Sequence, residues 1–540
     1  MPKFVFLWTD IFVFALVLGL AAYVWKVRRS VSLRSAWASV GRTPSAMCAA
    51  VVLLCFAALG VLDSIHYRPL LPPVQAAAAQ GPGAAGQGAG QTQAQGPSQA
   101  HVQAEQRIYS PVLRSALDDL LGLTQLTKRE NTYSAPLAIR QFTKETELID
   151  GKAVRDFPRL KHAGRLLEDE SGHEADIYRR LGQGMLAGLV ACALAAGLLT
   201  GLHRPGRRNL AEAWSAWWRG ASGLPWRAMW LTLCVILMLG AVALSLGANY
   251  HVLGTDRTGN DVLWQCLKSV RTALVIGTLT TLAMLPPALG FGIAAGYFKG
   301  RVDDVIQYIY TTLTSIPGVL LIAACVLMMQ VYIDQNPALF DTVAARADLR
   351  LFLLCMILGL TGWAGLCRLL RAETLKLREL EYVQAARAFG VGHLRIMRRH
   401  LLPNLMHIVL ITLVLEFSSL VLYEAVLSYL GIGVDPSTPS FGTMIDSARL
   451  EMSRDPMIWW NLLGAFVFLL ALVLSANIFA DAVQDAFDPR TRRYRVKPSA
   501  PHPGHAHPGR GGLPAGGPAA SDSAAGGAMA GGVRAMEDGR

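Results

Sequence analysis

The sequence predicts an all-α polytopic membrane protein with about nine transmembrane helices, a helical core in its C-terminal half and a small exported insertion. Three observations carry that prediction. Of 540 residues, 52% are hydrophobic and only 16% charged, and the mean hydropathy is positive at +0.35. The apolar residues gather in blocks close to the twenty or so that a helix needs to cross a bilayer. Lys and Arg are also distributed unevenly between the short loops, 28 on one side against 8 on the other, which orients the chain with the richer side in the cytoplasm.

Taken in order, the predicted spans are 4–25, 46–62, 184–203, 229–248, 273–295, 312–332, 351–370, 405–430 and 459–480. Each must be a helix, because lipid offers no partner for backbone N–H and C=O groups. Nine spans with the basic loops inside put the N-terminus outside and the C-terminus in the cytoplasm. The first reads as a retained anchor: Asp10 interrupts the apolar run early, and Lys26, Arg28 and Arg29 follow it like a stop-transfer signal. Residues 1–63 thus form an N-terminal hairpin and 64–107 a linker. Its stretch from Gln75 to Gln106, nearly all Ala, Gln and Gly, has little to bury and is expected to be flexible. Residues 108–182 have the composition of a small soluble module, with Leu113, Leu117, Leu120 and Leu121 in helical spacing. So short a module lacks a self-sufficient core and is expected to dock on the membrane domain. An extra hairpin occupies 183–250 and the core 251–490, with a cytoplasmic loop at 373–404. The Pro/Gly/Ala-rich tail 491–540 is expected to be disordered.

Composition also limits function. The net charge of +12 lies mostly in membrane-flanking loops without interleaved aromatics, which suits anchoring to an anionic inner leaflet and excludes a nucleic-acid surface. Seven of the eight cysteines sit in or beside apolar spans, so they read as free thiols. The tail histidines His502, His505 and His507 have no fixed geometry around them and predict no metal site. A membrane hydrolase would need a H-E-x-x-H or G-x-S-x-G signature, and neither is present. Without a G-x-x-x-x-G-K-[ST] loop, the chain has no phosphate cradle of that kind for ATP.

The most informative segment is 379–404, ELEYVQAARAFGVGHLRIMRRHLLPN. Good helix formers precede Gly390, which can supply a left-handed C-cap, and His393–His400 can form a second short helix before Pro403 opens the next span. The predicted result is a helix–turn–helix knuckle. It resembles the EAA loop of ABC importer permeases, with Gln384 in place of the motif's Glu and His400 in place of its Ile, while Ala385, Ala386, Gly390, Leu402 and Pro403 match.

Other segments agree with that resemblance, and together they cover about 30–65 and 250–495. The stretch His251-Val-Leu-Gly254-Thr255-Asp256-Arg-Thr-Gly259-Asn-Asp261-Val-Leu is similar to the outer signature of the C-type permease in dipeptide, oligopeptide and nickel importers, with Val252 for Pro and Asn260 for Arg. On residue chemistry alone it is a tight loop in which Asp256 and Asp261 can cap helix starts. The turn 296–303 followed by Ser315-Ile316-Pro317, the run from Glu424 to Gly433, and the ending from Asp481 to Arg490 also match in order. Pro317 is expected to kink its span. Glu416 is a costly intramembrane carboxylate and a functional candidate. The first span and residues 66–249 have no counterpart in the pattern.

The resemblance implies a multi-pass permease subunit of a bacterial inner membrane that moves peptides inward and has no catalytic residues. Its partners would be two ABC ATPase subunits that bind ATP and Mg, a second permease forming a heterodimer, and a periplasmic substrate-binding protein. Gln384, Ala385, Ala386, Arg387, Gly390, Arg395, Leu402 and Pro403 would couple to the ATPase. Gly254, Thr255, Asp256, Gly259 and Asp261 would form the periplasmic loop, and Pro317, Glu416 and Glu424 would lie along the path. The competing expectation is a membrane sensor or scaffold whose exported module binds a ligand without transport.

Overall fold

The computed structural model describes residues 3–70, 109–110, 112–122, 124–149, 152–165, 170–202, 224–337, 340 and 342–487. The expected flexible stretch Gln75–Gln106, the tail 491–540 and its histidines lie outside these residues. Among the described residues, nine helices are long and apolar enough to cross a membrane.

The N-terminal part contains α1 (Trp8–Arg29), the short α2 (Val31–Val40) and α3 (Pro44–Asp63). Its insertion carries α4 (Ala116–Leu121), which starts at Ser115, whose hydroxyl accepts from the Asp118 N–H. The extra hairpin is α5 (His173–Leu202) and α6 (Trp226–Gly247). The core consists of α7 (Val262–Phe298), α8 (Arg301–Ser315), α9 (Gly318–Gln335), α10 (Val343–Gly362), α11 (Ala364–Leu377), α12 (Glu381–Ala388), α13 (His393–Ile396), α14 (Leu402–Tyr429), α15 (Phe441–Met452) and α16 (Trp460–Phe487).

Several helices outrun their apolar stretch. The longest, α7, is about 55 Å at 1.5 Å per residue, well beyond a 30 Å hydrocarbon core. It begins eleven residues before the run expected at 273, because Asp261 caps it by accepting from the Trp264 N–H. Polar residues in its first turns then find partners in other elements. Likewise α5 starts at His173, ahead of the apolar run at 184. Its first turns are held by an Asp176–Arg180 pair at 2.7 Å, and the Tyr250 hydroxyl donates to Asp176 at the end of α6.

Two expectations are corrected. Pro317 does not kink a continuous span; it separates α8 from α9. Ile316 ahead of it takes an extended conformation (φ −85°, ψ 132°), as pre-proline sterics demand, and Pro317 becomes the cap of α9. In addition, His393–His400 is not a separate helix ending before Pro403. From α13 the chain passes through a π-helical turn, Met397–Leu401, straight into α14, and Pro403 stands directly after that turn.

The small strands β1 (Lys3–Phe4), β2 (His66–Arg68) and β3 (Arg114–Ser115) form an antiparallel sheet in that order. It joins the N-terminus, the end of α3 and the insertion. The hairpin β4 (Glu145–Ile149) and β5 (Lys152–Asp156) stands apart from it in the insertion. Contacts between helix ends agree with the predicted alternation. The start of α1 meets the end of α3, the start of α7 and the start of α10 at one end, the end expected outside from the loop charges and called the outer end below. At the opposite end Lys299 after α7 pairs with Glu379 after α11.

The core is layered along this axis. One apolar cluster near the 379–404 segment gathers Met284, Ile293, Ile306, Trp363, Leu370 and Leu405. A middle cluster packs α7, α9 and α10 around Ile276, Val326, Leu354 and Leu427, and an outer one gathers Val262, Phe441, Trp460 and Leu472.

Candidate functional site

The knuckle is built on its Gly390. The helix α12 has Phe389 as its cap residue, and Gly390 follows with φ +73°. Gly390 N–H donates to Arg387 C=O at 3.0 Å and Val391 N–H to Ala386 C=O at 3.1 Å. These are the paired bonds of a Schellman turn, in which a left-handed residue satisfies the last helical carbonyls. Ala386 and Val391, whose backbones close the turn, are both partly buried against one apolar cluster.

Val383, Ile396 and Leu401 are buried in the same cluster as Ile306 of α8 and Leu370 of α11, so the inner side of the knuckle is part of the core. Polar contacts brace it. The Arg378 guanidinium donates to Tyr297 C=O at 2.6 Å, the Tyr297 hydroxyl and His393 Nδ1 lie 2.9 Å apart, and the Asn404 amide donates to the Tyr382 hydroxyl at 2.8 Å. The carboxylate of Asp303 on α8 is gripped in bidentate fashion by Arg371 of α11, one bond being 2.7 Å.

The outer side of the knuckle is bare. Gln384, Ala385, Arg387, Arg395, Arg398 and Arg399 are exposed; Phe389 is 87% exposed and Leu394 73%. The amide of Gln384 folds back to donate to Glu379 C=O at 3.1 Å, so it tightens its own helix instead of projecting. A concavity of about 890 Å³ lies beside Gly392, Leu394, Arg395, Arg399 and Pro403. Two large apolar side chains and four arginines, all exposed within thirteen residues, make a surface suited to protein docking. Motif spacing pointed to Gly390 and Leu402-Pro403 but not to Phe389 and Leu394. Their exposure was the missing information, since an apolar residue in a short amphipathic helix reads first as an inward one.

The 251–261 loop lies at the other end and is clamped by the insertion. Ser134 N–H donates to the Thr255 hydroxyl at 2.7 Å, Thr255 N–H to Ser134 C=O at 3.1 Å, and Glu130 N–H to Gly259 C=O at 2.9 Å. Gly259 has φ +75°, and a Cβ there would collide with the Glu130 carbonyl oxygen. Backbone thus approaches backbone where only glycine fits. The Trp460 indole closes the loop from α16, donating to Thr255 C=O at 3.0 Å. Asp256 caps no helix; its carboxylate organises the turn by accepting from the Thr258 and Asn260 N–H groups.

Beneath the loop His251 is fully buried between two carboxylates, with Nδ1 2.7 Å from Asp261 and Nε2 3.4 Å from Glu130. Glu130 also accepts the N–H groups of Lys161, His162 and Ala163 at 2.8–3.0 Å. Burial opposes charge on both His251 and Glu130. The bonds to Asp261 and Glu130 nevertheless outweigh it and push His251 up to about 9. Glu130, held by His251 and the three N–H groups, is drawn down to about 2. The result is a buried imidazolium between two carboxylates that joins the insertion to the core. No sequence motif announced it, because Glu130 and His251 are 121 positions apart.

A second charged joint holds α1. The buried Arg271 of α7 donates to the Thr9 hydroxyl and to Asp10, each at 2.6 Å, and to the Ser64 hydroxyl at 3.1 Å, and stands 3.6 Å from Asp348 of α10. His66 lies 2.8 Å from Asp10. Nearby Lys268 pairs with Asp118 of α4 at 2.8 Å. These pairs line a half-open cavity of about 1030 Å³ between the N-terminal part, the insertion and the core.

The three path candidates separate. Pro317 is exposed at the break between α8 and α9. Glu424 is buried at the end of α14, accepting from the Ser428 and Ser440 hydroxyls at 2.7 and 3.0 Å, so it pins the 430–440 turn and faces inward. Glu416 is half-buried in mid-helix. Among the described residues no group of three His, Cys, Asp or Glu is arranged to hold a metal ion.

Comparison with known proteins follows the same division of the chain. Residues 288–493 match the family described as "Binding-protein-dependent transport system inner membrane component". The chain is 33% identical over 246 residues to the di/tripeptide transport system permease protein DppC of Pseudomonas aeruginosa, covering 46% of this chain and 74% of that protein. It is 31% identical over 245 residues to the oligopeptide transport system permease protein OppC of Mycobacterium tuberculosis, covering 45% and 78%. With the dipeptide permease DppC of Bacillus subtilis it shares 29% over 243 residues, covering 45% and 70%.

Proposed function

Because this chain belongs to the inner-membrane components of binding-protein-dependent transport systems, among the peptide permeases of the C type, we propose that it is the permease subunit through which peptides pass from the periplasm to the cytoplasm. It works with a second permease, two ABC ATPase subunits that bind ATP and Mg, and a periplasmic binding protein. The N-terminus lies in the periplasm and the C-terminus in the cytoplasm.

The observation that carries this reading is the knuckle, bare on one side and built into the core on the other. An ATPase that grips Phe389, Leu394 and the surrounding arginines holds a lever whose inner face, Val383, Ile396 and Leu401, packs with α8 and α11. Closing of the ATPase pair then displaces those helices as rigid bodies, the kind of gating that packed, bistable interfaces support. Gln384 supplies no carboxylate to the docking surface, so recognition falls to Arg387, Arg395 and the two apolar side chains. Gly254, Thr255, Asp256, Gly259 and Asp261 shape the opposite end, and the Pro317 break and Glu416 lie along the path.

The test is uptake by the complete transporter in proteoliposomes. Gly390→Val and Arg395→Glu are expected to leave ATP hydrolysis running while peptide uptake falls at least tenfold. Unchanged uptake in both variants would refute the coupling role.

A further inference from the structure

Glu416 occupies the middle of α14, a helix apolar enough to span the membrane. Among the described residues its carboxylate has neither a hydrogen-bond partner nor a counter-charge, and its oxygens are not sealed off. A charged group at that depth is costly, and chains normally offset this with a partner or a watery cavity. Lipid supplies neither.

The surroundings continue the polarity. Ser419 and Tyr423 follow at i+3 and i+7, which places them on the same helix face as Glu416. Ser419 is exposed and its hydroxyl donates back to Leu415 C=O at 3.3 Å, which leaves its oxygen free to accept. The Tyr423 hydroxyl is 3.8 Å from where a Cβ on Gly318 would stand, so the stripe reaches the Pro317 break. On the other side of that break the last turns of α8 expose Thr311, Thr314 and Ser315. The two hydroxyl-bearing segments therefore approach each other at the corner between α8 and α9. Exposed Leu415, Leu422 and Val426 border the stripe on one side and buried Leu427 on the other, which makes it a narrow polar track on an apolar helix.

We propose that Glu416, Ser419 and Tyr423 form a cation-accepting station on the translocation path, where the carboxylate receives the ammonium group of a peptide in transit. The assignment rests on the transport reading above. A peptide's ammonium group provides the counter-charge that the chain itself withholds, and the hydroxyls replace part of its hydration.

Two measurements on the complete transporter in liposomes test the station. With Ser419→Cys in place, and the parent chain as background for the native cysteines, the cationic reagent 2-aminoethyl methanethiosulfonate is expected to react at least tenfold faster than the anionic 2-sulfonatoethyl analogue. Adding Glu416→Gln is expected to erase that preference. Equal rates with Glu416 intact, or no reaction with either reagent at rest and during ATP turnover, would overturn the station. In the second measurement, Glu416→Gln is expected to lower trialanine uptake roughly tenfold, the worth of one charge-assisted hydrogen bond, and Glu416→Asp to recover part of it. Unchanged uptake in Glu416→Gln, or loss of the partner subunits from the complex, would overturn the ammonium assignment. If the unaltered transporter carries no trialanine, the peptide reading fails for that substrate, and the thiol rates still decide whether the station exists.

Discussion

The buried imidazolium makes the attachment of the insertion depend on pH. His251 normally titrates near 6.5 and is raised to about 9 between Asp261 and Glu130. Its contribution is therefore complete below pH 6.5 and is lost as the pH rises through 9. Glu130 moves the other way, from 4.5 to about 2, so its contribution is present above pH 4.5 and is lost only in strong acid. Docking is then firmest at about pH 5–6 and weakens on the alkaline side. At about 1.4 kcal/mol per pKa unit, the His251 shift is worth on the order of 3 kcal/mol. That corresponds to about a hundredfold change in the opening equilibrium. The amides of Lys161, His162 and Ala163 report it directly, because their N–H groups end on Glu130. Hydrogen exchange followed by mass spectrometry on the purified transporter, corrected for intrinsic rates, is expected to show their protection falling on the order of a hundredfold between pH 6.5 and 9.5. In His251→Gln protection is expected to be low at both values, since an amide cannot supply the charge and Glu130 and Asp261 then face each other across a buried gap. Protection that is the same at pH 6.5 and 9.5 in the unaltered chain would refute the imidazolium assignment.

Two further outcomes follow from close contacts. Gly259→Ala places a methyl group into the Glu130 carbonyl at a positive φ and is expected to detach the insertion, read as new protease cleavage between about 112 and 165, whereas Gly19→Ala, with open space around it, is expected to change nothing. Arg271→Met leaves Asp10 and Asp348 buried without their cation, a loss on the order of 3–5 kcal/mol for a broken buried pair. The melting temperature in detergent is expected to fall by several degrees and to recover partly when Asp10→Asn is added, and an unchanged melt would show the pair to be energetically idle.

The spans were legible because the bilayer imposes a length and a composition on any helix that crosses it, and nine apolar runs of that kind are hard to hide. Helix ends were not. Trp264, Lys268 and Arg271 look like a polar boundary until Asp118, Asp63 and Asp10 are brought to them, and those partners lie more than a hundred positions away. At Pro317 the residue type was informative but its consequence was not. A proline inside an apolar run is compatible with a kink, and the break arose because Ile316 became extended and Gly318 began a new helix. In the knuckle Gly390 was readable from local chemistry alone, since the Schellman turn is made within six residues. Which apolar side chains it turns outward depends on the packing of Val383 and Ile396 below.

The parts of the chain without a counterpart in the permease pattern attach most heavily at one end, although Tyr23 near the end of α1 also accepts from the Trp37 indole of α2 at the other. Contacts from the start of α1, the β1–β2–β3 sheet and the insertion converge on the outer ends of α7 and α10, whereas among the described residues the outward surface of the knuckle carries nothing from them. This asymmetry has a mechanical consequence. Asp10 of α1, Ser64 after α3 and Asp348 of α10 all address one guanidinium on α7. A relative tilt among these helices would strand a buried charge, at a cost of several kcal/mol. In the gating proposed above they therefore move as a single outer body, and the hinge lies elsewhere. The break at Ile316–Pro317 meets that need, because it interrupts the backbone between α8, which packs with the knuckle, and α9, which packs with α10. Under the coupling proposed above, motion taken up at the knuckle reaches α9 through this break without disturbing the joint around Arg271, where the start of α1 is held.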